Sequence, residues 1–94
     1  MESILKSEDG VCYSCKSIGY TEEHHIYFGH KNRKISDKMG FVVYLCPECH
    51  RGTYGIHGSK GKERNLALKR ECQAVFEETH SREEFRKLIG RSYL

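Results

Sequence analysis

Two pairs of cysteines have the spacing with which short turns bind a metal ion. Cys12 pairs with Cys15 and Cys46 with Cys49, each pair separated by two residues. Such a turn aims two sulfurs at one ion, and two turns complete the tetrahedron that structural zinc adopts. Redox motifs and disulfides share this spacing, but neither pair lies in a thioredoxin-like βαβ pattern. We therefore expect a closed four-cysteine zinc site that stabilises the fold and leaves no position open for catalysis.

Histidines form the second chemically suggestive group, with six in 94 residues. His24 and His25 are adjacent and lie between the two cysteine pairs. His50 directly follows the last of the paired cysteines, and His57 lies seven residues later. Successive side chains of a strand point to opposite faces, so adjacent histidines can take different roles where a strand ends. We expect one of the pair to bind a second metal and the other to face a water molecule.

Two strands are predicted to position these groups. The segment 23–28 is rich in aromatic and β-branched residues, and the apolar run 41–45 is the clearest strand in the chain. Between them, residues 29–39 are polar and basic and predict a loop with one helical turn after Ser36, closed by Gly40. The strand 41–45 leads directly into the second cysteine pair, so it places that pair beside the sheet.

Two helices are predicted after a glycine-containing stretch that we expect to be flexible up to about residue 61. An apolar face indicates a helix over about 62–78, and Cys72 lies on that face as a core residue rather than a ligand. Ser81 and Glu84 form a capping box for a second, short helix, which Gly90 can end. His30 and His80 have no comparable context and are interpreted as surface residues.

The length and composition fit one small α+β domain, residues 1–94, in which a metal site compensates for a limited core. Within it, 1–10 is a loosely held lead-in, 11–61 carries the zinc knuckle and the strands, and 62–94 carries the helices. No segment resembles a signal peptide or a membrane span, so we expect a soluble protein of a reducing intracellular compartment. The net charge of +3 and a pI near 8.6 are compatible with a nucleic-acid partner.

In combination, these motifs resemble the HNH endonuclease family, and within it the small phage and prophage proteins. The central pattern is Cys12-x-x-Cys15, Glu23-His24-His25-Ile26, Val43-Tyr44-Leu45-Cys46-x-x-Cys49-His50 and His57. The family-like segment between the strands contains Gly29, Asn32-Arg33-Lys34 and Ser36, and the C-terminal one contains Phe85, Ile89-Gly90 and Tyr93-Leu94. The resemblance covers about residues 12–94, and its specificity comes from the combined spacing.

The resemblance implies a ββα-metal core, in which two antiparallel strands and a helix hold one divalent metal. By this analogy His24 is a metal ligand, His25 is the general base, and His50 and His57 complete the ligand set. In many such proteins the last two ligands lie four residues apart on one helix. Here they lie seven apart with glycines between, so either a loop carries one of them or one is not a ligand.

The middle asparagine of the family pattern is the second departure, because residues 39–41 contain no asparagine. Asn32 is the candidate for its role, pinning the loop between the strands through hydrogen bonds. A backbone carbonyl in that loop is then expected to hold the other ring nitrogen of His25. Arg33 and Lys34 are candidates for phosphate contact.

The implied activity is metal-assisted hydrolysis of DNA in the cytoplasm of a bacterial or phage-infected cell, leaving 5′-phosphate and 3′-hydroxyl ends. Imidazole ligands favour Mn²⁺, Ni²⁺ or Zn²⁺, and Mg²⁺ can act where waters fill the remaining positions. Two other classes stay open. One is a non-catalytic zinc-binding module that docks on nucleic acid, and the other is an adaptor in a phage protein complex.

Overall fold

The computed structural model describes residues 2–94 and has two strands and four helices. The elements, in chain order, are β1 (Glu22–His25), α1 (His30–Met39), β2 (Val42–Leu45), α2 (Pro47–Arg51), α3 (Lys62–Phe76) and α4 (Arg82–Ile89). This is a small α+β fold with a two-stranded sheet, against which α1 and α2 pack. Within the described residues, none of the helices combines the length and apolar character that a membrane span requires.

The two strands are antiparallel, and β2 determines where β1 lies. Val42, Val43 and Leu45 of β2 are almost fully buried, whereas β1 consists only of glutamates and histidines. The register places His24 opposite Val43 and His25 opposite Val42. Such polar residues have low strand propensity, so pairing with the buried β2 is what holds β1 extended. The histidine pair therefore lies at the end of β1, whereas the predicted strand 23–28 placed it near the start.

The segment predicted as a loop, 29–39, is instead mostly the regular helix α1. Gly29 and Gly40 flank it with φ of 98° and 77°, which glycine adopts readily. A Cβ at Gly40 would also clash with the carbonyl oxygen of Glu2. Ser36 is fully buried, and its hydroxyl donates to the Tyr27 carbonyl at 2.7 Å and accepts from the Tyr27 amide at 3.2 Å. This contact fixes α1 against the chain that leaves β1.

The N-terminal lead-in is attached to β2 rather than loosely held. The amide of Ile4 donates to the Gly40 carbonyl at 2.9 Å, and the amide of Tyr44 donates to the Ser7 hydroxyl at 2.8 Å. The amide of Tyr13 donates to the Tyr44 carbonyl at 2.8 Å. These bonds satisfy backbone groups along β2 that β1 does not reach.

Residues 52–61, predicted to be flexible, form a series of ordered backbone turns. The amide of Gly58 donates to the Gly55 carbonyl at 2.9 Å, and that of Gly61 donates to the Gly58 carbonyl at 3.1 Å. A Cβ at Gly58 would clash with the carbonyl of Gly52, and one at Gly61 with the carbonyl of Gly55. The glycines therefore allow backbone segments to approach one another closely. Helix α3 follows directly after them.

The two C-terminal helices close the core largely as predicted. The Ser81 hydroxyl accepts from the Glu84 amide at 3.1 Å, and the Glu84 carboxylate accepts from the Ser81 amide at 3.0 Å, which confirms the capping box. Cys72 is fully buried, which confirms it as a core residue. Four aromatic rings meet around the core centre, namely Tyr27, Phe41, Phe76 and Phe85.

Candidate metal centres

The four paired cysteines converge into one cluster. Cys12 and Cys15 lie in the turn before β1, while Cys46 caps α2 and Cys49 lies within it. Their sulfurs all lie within 4.8 Å of one another, and the Sγ atoms of Cys15 and Cys46 are 3.8 Å apart. Four sulfur donors at this spacing can hold a tetrahedral structural zinc.

The thiols of the cluster have unequal acidity. Hydrogen bonding from Ser17 lowers the pKa of Cys15 to about 6. Burial raises the pKa of Cys49 to about 12. Burial also opposes ionisation of Cys12, but backbone hydrogen bonds outweigh it and lower the pKa of that thiol. A metal ion bound at the cluster would favour the thiolate of Cys49, since a coordinated thiol is deprotonated outright.

Three histidines form a second cluster beside the first. His24 comes from β1, His50 from α2 and His57 from the turns that follow α2. Their ring centroids are separated by 5.2 Å between His24 and His50, and by 4.9 Å for each of the other two pairs. The amide of His57 donates to the His50 carbonyl at 2.8 Å. The loop that carries His57 thus resolves the seven-residue spacing that a single helix cannot accommodate.

The buried ring of His24 indicates a ligand at this cluster. The side chain is 2% exposed, and within residues 2–94 its Nε2 has no hydrogen-bond partner. Burial, with the nearby His57 and His50, lowers the pKa of His24 to about 3 and keeps the imidazole neutral. Partial burial also lowers the pKa of His57. An unpaired buried nitrogen is costly, whereas a neutral imidazole lone pair is what a transition metal binds. The donor set therefore fits a divalent cation.

His25 lies beside the cluster but has different neighbours. Its Nε2 is 3.5 Å from Glu23 Oε1 and 3.6 Å from Asp37 Oδ1. The expected backbone carbonyl partner does not occur within the described residues, where these two carboxylates flank the ring instead. Sequence reasoning does not identify Asp37, because it predicts a loop here, whereas α1 turns this side chain towards β1.

Two open pockets meet at His25. One, of about 240 Å³, is lined by the three clustered histidines together with Glu23, His25, Phe28 and Arg33. The other, of about 680 Å³, is lined by Glu23, His25, Gly29, His30, Arg33, Lys34 and Asp37. Within residues 2–94, no ion pair engages Arg33 or Lys34. Both cations are therefore free to contact an anionic ligand in these pockets.

Asn32 does not have the contact that was expected of it. It lies on α1, and its Nδ2 donates to the Ile89 carbonyl of α4 at 3.2 Å. No hydrogen bond within the described chain joins it to His25 or to the histidine cluster. The prediction that Asn32 lies in a loop between the strands is therefore wrong. Its hydrogen bond to Ile89 joins α1 to α4. His30 and His80 are exposed, in agreement with their prediction as surface residues.

No protein-family model, curated protein or solved structure matches this chain. The geometry itself supports a small α+β fold with a two-stranded sheet, four helices and a four-cysteine cluster. These features fit a zinc-binding module.

Proposed function

We propose that this chain is a metal-dependent endonuclease of the HNH type that hydrolyses DNA phosphodiester bonds. In this proposal His24, His50 and His57 hold a divalent cation, His25 is the general base, and the cysteines hold a structural zinc. The observation that carries the proposal is a cluster of three imidazoles in which the buried Nε2 of His24 has no hydrogen-bond partner among the described residues. His25 lines the same pocket. A module that only binds a structural zinc does not require a histidine cluster with His25 beside it.

The chain's own residues provide the parts that phosphodiester hydrolysis requires. A neutral imidazole at His25 accepts a proton from the attacking water, the role that histidine fills most often in general acid–base catalysis. Glu23 and Asp37 then stabilise the imidazolium that forms, since their carboxylates lie 3.5 Å and 3.6 Å from its Nε2. A bound divalent cation supplies charge stabilisation at the phosphate and the leaving oxygen.

The proposed substrate is DNA bound mainly through its phosphates. Arg33 lines both pockets at His25 and Lys34 lines the larger one, so both can contact the backbone beside the reacting phosphate. Such contacts carry no base information, and we expect weak sequence preference. By the family resemblance, the products carry 5′-phosphate and 3′-hydroxyl ends, and the setting is the cytoplasm of a bacterial or phage-infected cell.

A plasmid-nicking assay with Mn²⁺ or Mg²⁺ tests the proposal. We expect nicking by the unchanged chain and a loss of about 100-fold or more in His25→Ala, because removing a general base costs about 10²–10⁴ in rate. His80→Ala is the matched control, since His80 is exposed and stacks on Phe76 at 4.2 Å, away from both pockets. All proteins are prepared identically, and zinc content and melting temperature are measured for each.

The outcomes separate the function classes. Loss of nicking in His25→Ala alone, with zinc and folding retained, supports the nuclease. Salt-dependent DNA binding without cleavage by the unchanged chain contradicts it and supports a non-catalytic nucleic-acid module. The absence of both binding and cleavage supports a protein–protein adaptor.

A further inference from the structure

Glu22, at the start of β1, makes a partly buried contact with a histidine of the cluster. Its side chain is only 16% exposed, and its Oε1 lies 2.8 Å from the Nδ1 of His50. Arg51 donates to both carboxylate oxygens, with Nε at 2.9 Å and 3.1 Å and a terminal nitrogen at 2.7 Å. Glu22 thus contacts two consecutive side chains at the end of α2, the imidazole of His50 and the guanidinium of Arg51.

This contact determines which nitrogen of His50 is free. An ionised carboxylate can only accept hydrogen bonds, so the Nδ1 of His50 must carry the proton that it donates. The lone pair of the neutral ring then resides on Nε2. The His50 ring lies edge-on to both His24 and His57, which brings its nitrogen into the cluster of possible ligand atoms.

We propose that Glu22 is a positioning residue that fixes His50 in the Nδ1–H tautomer and directs its Nε2 to the cation of the histidine cluster. This inference rests on the proposed function, because it assigns a role towards the same cation. A carboxylate behind a metal-bound histidine also makes the imidazole a stronger donor. Arg51 pairs with the same carboxylate, but the proposed role depends only on the contact between Glu22 and His50.

A purely structural reading would make Glu22 and Arg51 an ion pair that joins β1 to α2. Arg51 is 64% exposed, and ion pairs of this kind contribute little to stability. The two readings predict different behaviour for Arg51→Gln, which breaks the ion pair but leaves the carboxylate beside His50. Arg51→Gln is therefore the matched control for Glu22→Ala.

The first test reads the His50 tautomer directly, in the zinc-loaded protein without a second metal. Long-range ¹H–¹⁵N NMR at mildly alkaline pH distinguishes a protonated Nδ1 from a protonated Nε2. We expect the Nδ1–H form in the unchanged chain, in Glu22→Gln and in Arg51→Gln, and a mixture of tautomers in Glu22→Ala. A protonated Nε2 in the unchanged chain, or an unaltered tautomer in Glu22→Ala, would overturn the inference, whatever the outcome of the nicking assay.

The second test measures Ni²⁺ affinity by calorimetry on full-length protein whose cysteine site is already filled with zinc. We expect Glu22→Ala to weaken Ni²⁺ binding by about 10–100-fold, the range found for partners behind metal ligands. Glu22→Gln, whose amide oxygen still accepts from His50, should lose less, and Arg51→Gln should stay close to the unchanged chain.

The failures of the two proposals are distinguishable. If the unchanged chain binds no Ni²⁺ beyond its zinc, both the histidine metal site and the role of Glu22 are overturned. If binding occurs and disappears in His24→Ala, but Glu22→Ala binds as tightly as the unchanged chain, only the positioning role is overturned. An equal loss in Glu22→Ala and Arg51→Gln also overturns it, in favour of the structural ion pair.

Discussion

The four-cysteine cluster and the three-histidine cluster each bring their ligand atoms within 4.8 Å of one another, yet they suit different tasks. The cysteines supply four sulfurs, which completes a tetrahedron and leaves no position for a substrate. The histidines supply only three nitrogens and face an open pocket of about 240 Å³. The number of protein ligands and the access to them, more than proximity, distinguish a structural centre from one that can react.

The position of the histidine cluster depends on the cysteine cluster more than the reverse. Helix α2 carries Cys49 and, directly after it, His50, so the cysteine cluster determines where that histidine lies. His24 and His57 come from β1 and the following turns and contribute nothing to the cysteine cluster. Loss of the cysteine site should therefore abolish both centres, whereas loss of the histidine site should leave the other intact.

Cys49→Ser should have the largest effect, since it removes a buried thiol from the candidate zinc site. Zinc binding contributes about 10–16 kcal/mol in small zinc domains, more than the whole stability of many of them. We expect loss of bound zinc and of the cooperative thermal transition, measured by metal analysis and circular dichroism. Cys72→Ala, at a buried cysteine outside the cluster, should retain both. A folded Cys49→Ser protein with full zinc would contradict the structural role of the cluster.

His57→Ala should remove the second cation and spare the first. We expect Mn²⁺ binding, followed by electron paramagnetic resonance, to weaken by at least about 100-fold, because even partners behind a ligand cost 10–100-fold. Nicking should fall in parallel, while zinc content and melting temperature stay close to those of the unchanged chain. His80→Ala provides the comparison at an exposed histidine. A parallel loss of zinc in His57→Ala would show that the two centres are not separable.

Arg33→Gln should weaken DNA binding uniformly across sequences, because Arg33 lines both pockets at His25 and forms no ion pair in the described chain. The logarithmic dependence of affinity on salt should become shallower by about one unit for the lost phosphate contact. Fluorescence anisotropy over a salt series measures this slope. Arg86→Gln, at an exposed arginine that lines neither pocket, is the control. Equal slopes for the two variants would argue against a phosphate contact at Arg33.

Asn32→Ala should have the smallest effect and should act on stability alone. Its hydrogen bond to the Ile89 carbonyl joins α1 to α4, and loss of such a bond costs about 1 kcal/mol. Urea titration should show this decrease in the free energy of unfolding, while nicking by the folded variant is unchanged. Impaired nicking at full stability would instead support the catalytic role that the family resemblance implies for Asn32.

Sequence reasoning succeeded where the signal is local. The spacing of Cys12 with Cys15, the capping residues Ser81 and Glu84, and the apolar face around Cys72 each depend on neighbouring residues. The structure shows the corresponding cluster, cap and buried helix face. In each case a short-range rule determines the outcome.

It failed where a tertiary contact decides the structure. Helix α1 has only a short apolar stripe, Ile35 and Met39, and it is anchored by the buried hydroxyl of Ser36, which hydrophobic periodicity does not detect. Because the sequence predicts a loop in place of α1, it does not reveal Asp37 as a neighbour of His25, and it places Asn32 in a loop. Glu22 was missed for the same reason, because its partner His50 lies far along the chain and no local pattern joins them.

The tight turns after α2 have a consequence for how this architecture can change. Residues 46–61 carry half of the sulfur donors and two of the three imidazoles, and backbone bonds such as that from His57 to His50 hold them at fixed separations. Adding or deleting one residue there would shift both sets of donors at once. Transplanting the segment intact into another scaffold would carry two of the four sulfur donors and two of the three imidazoles with it. Insertions and deletions should therefore be tolerated better outside this segment than within it.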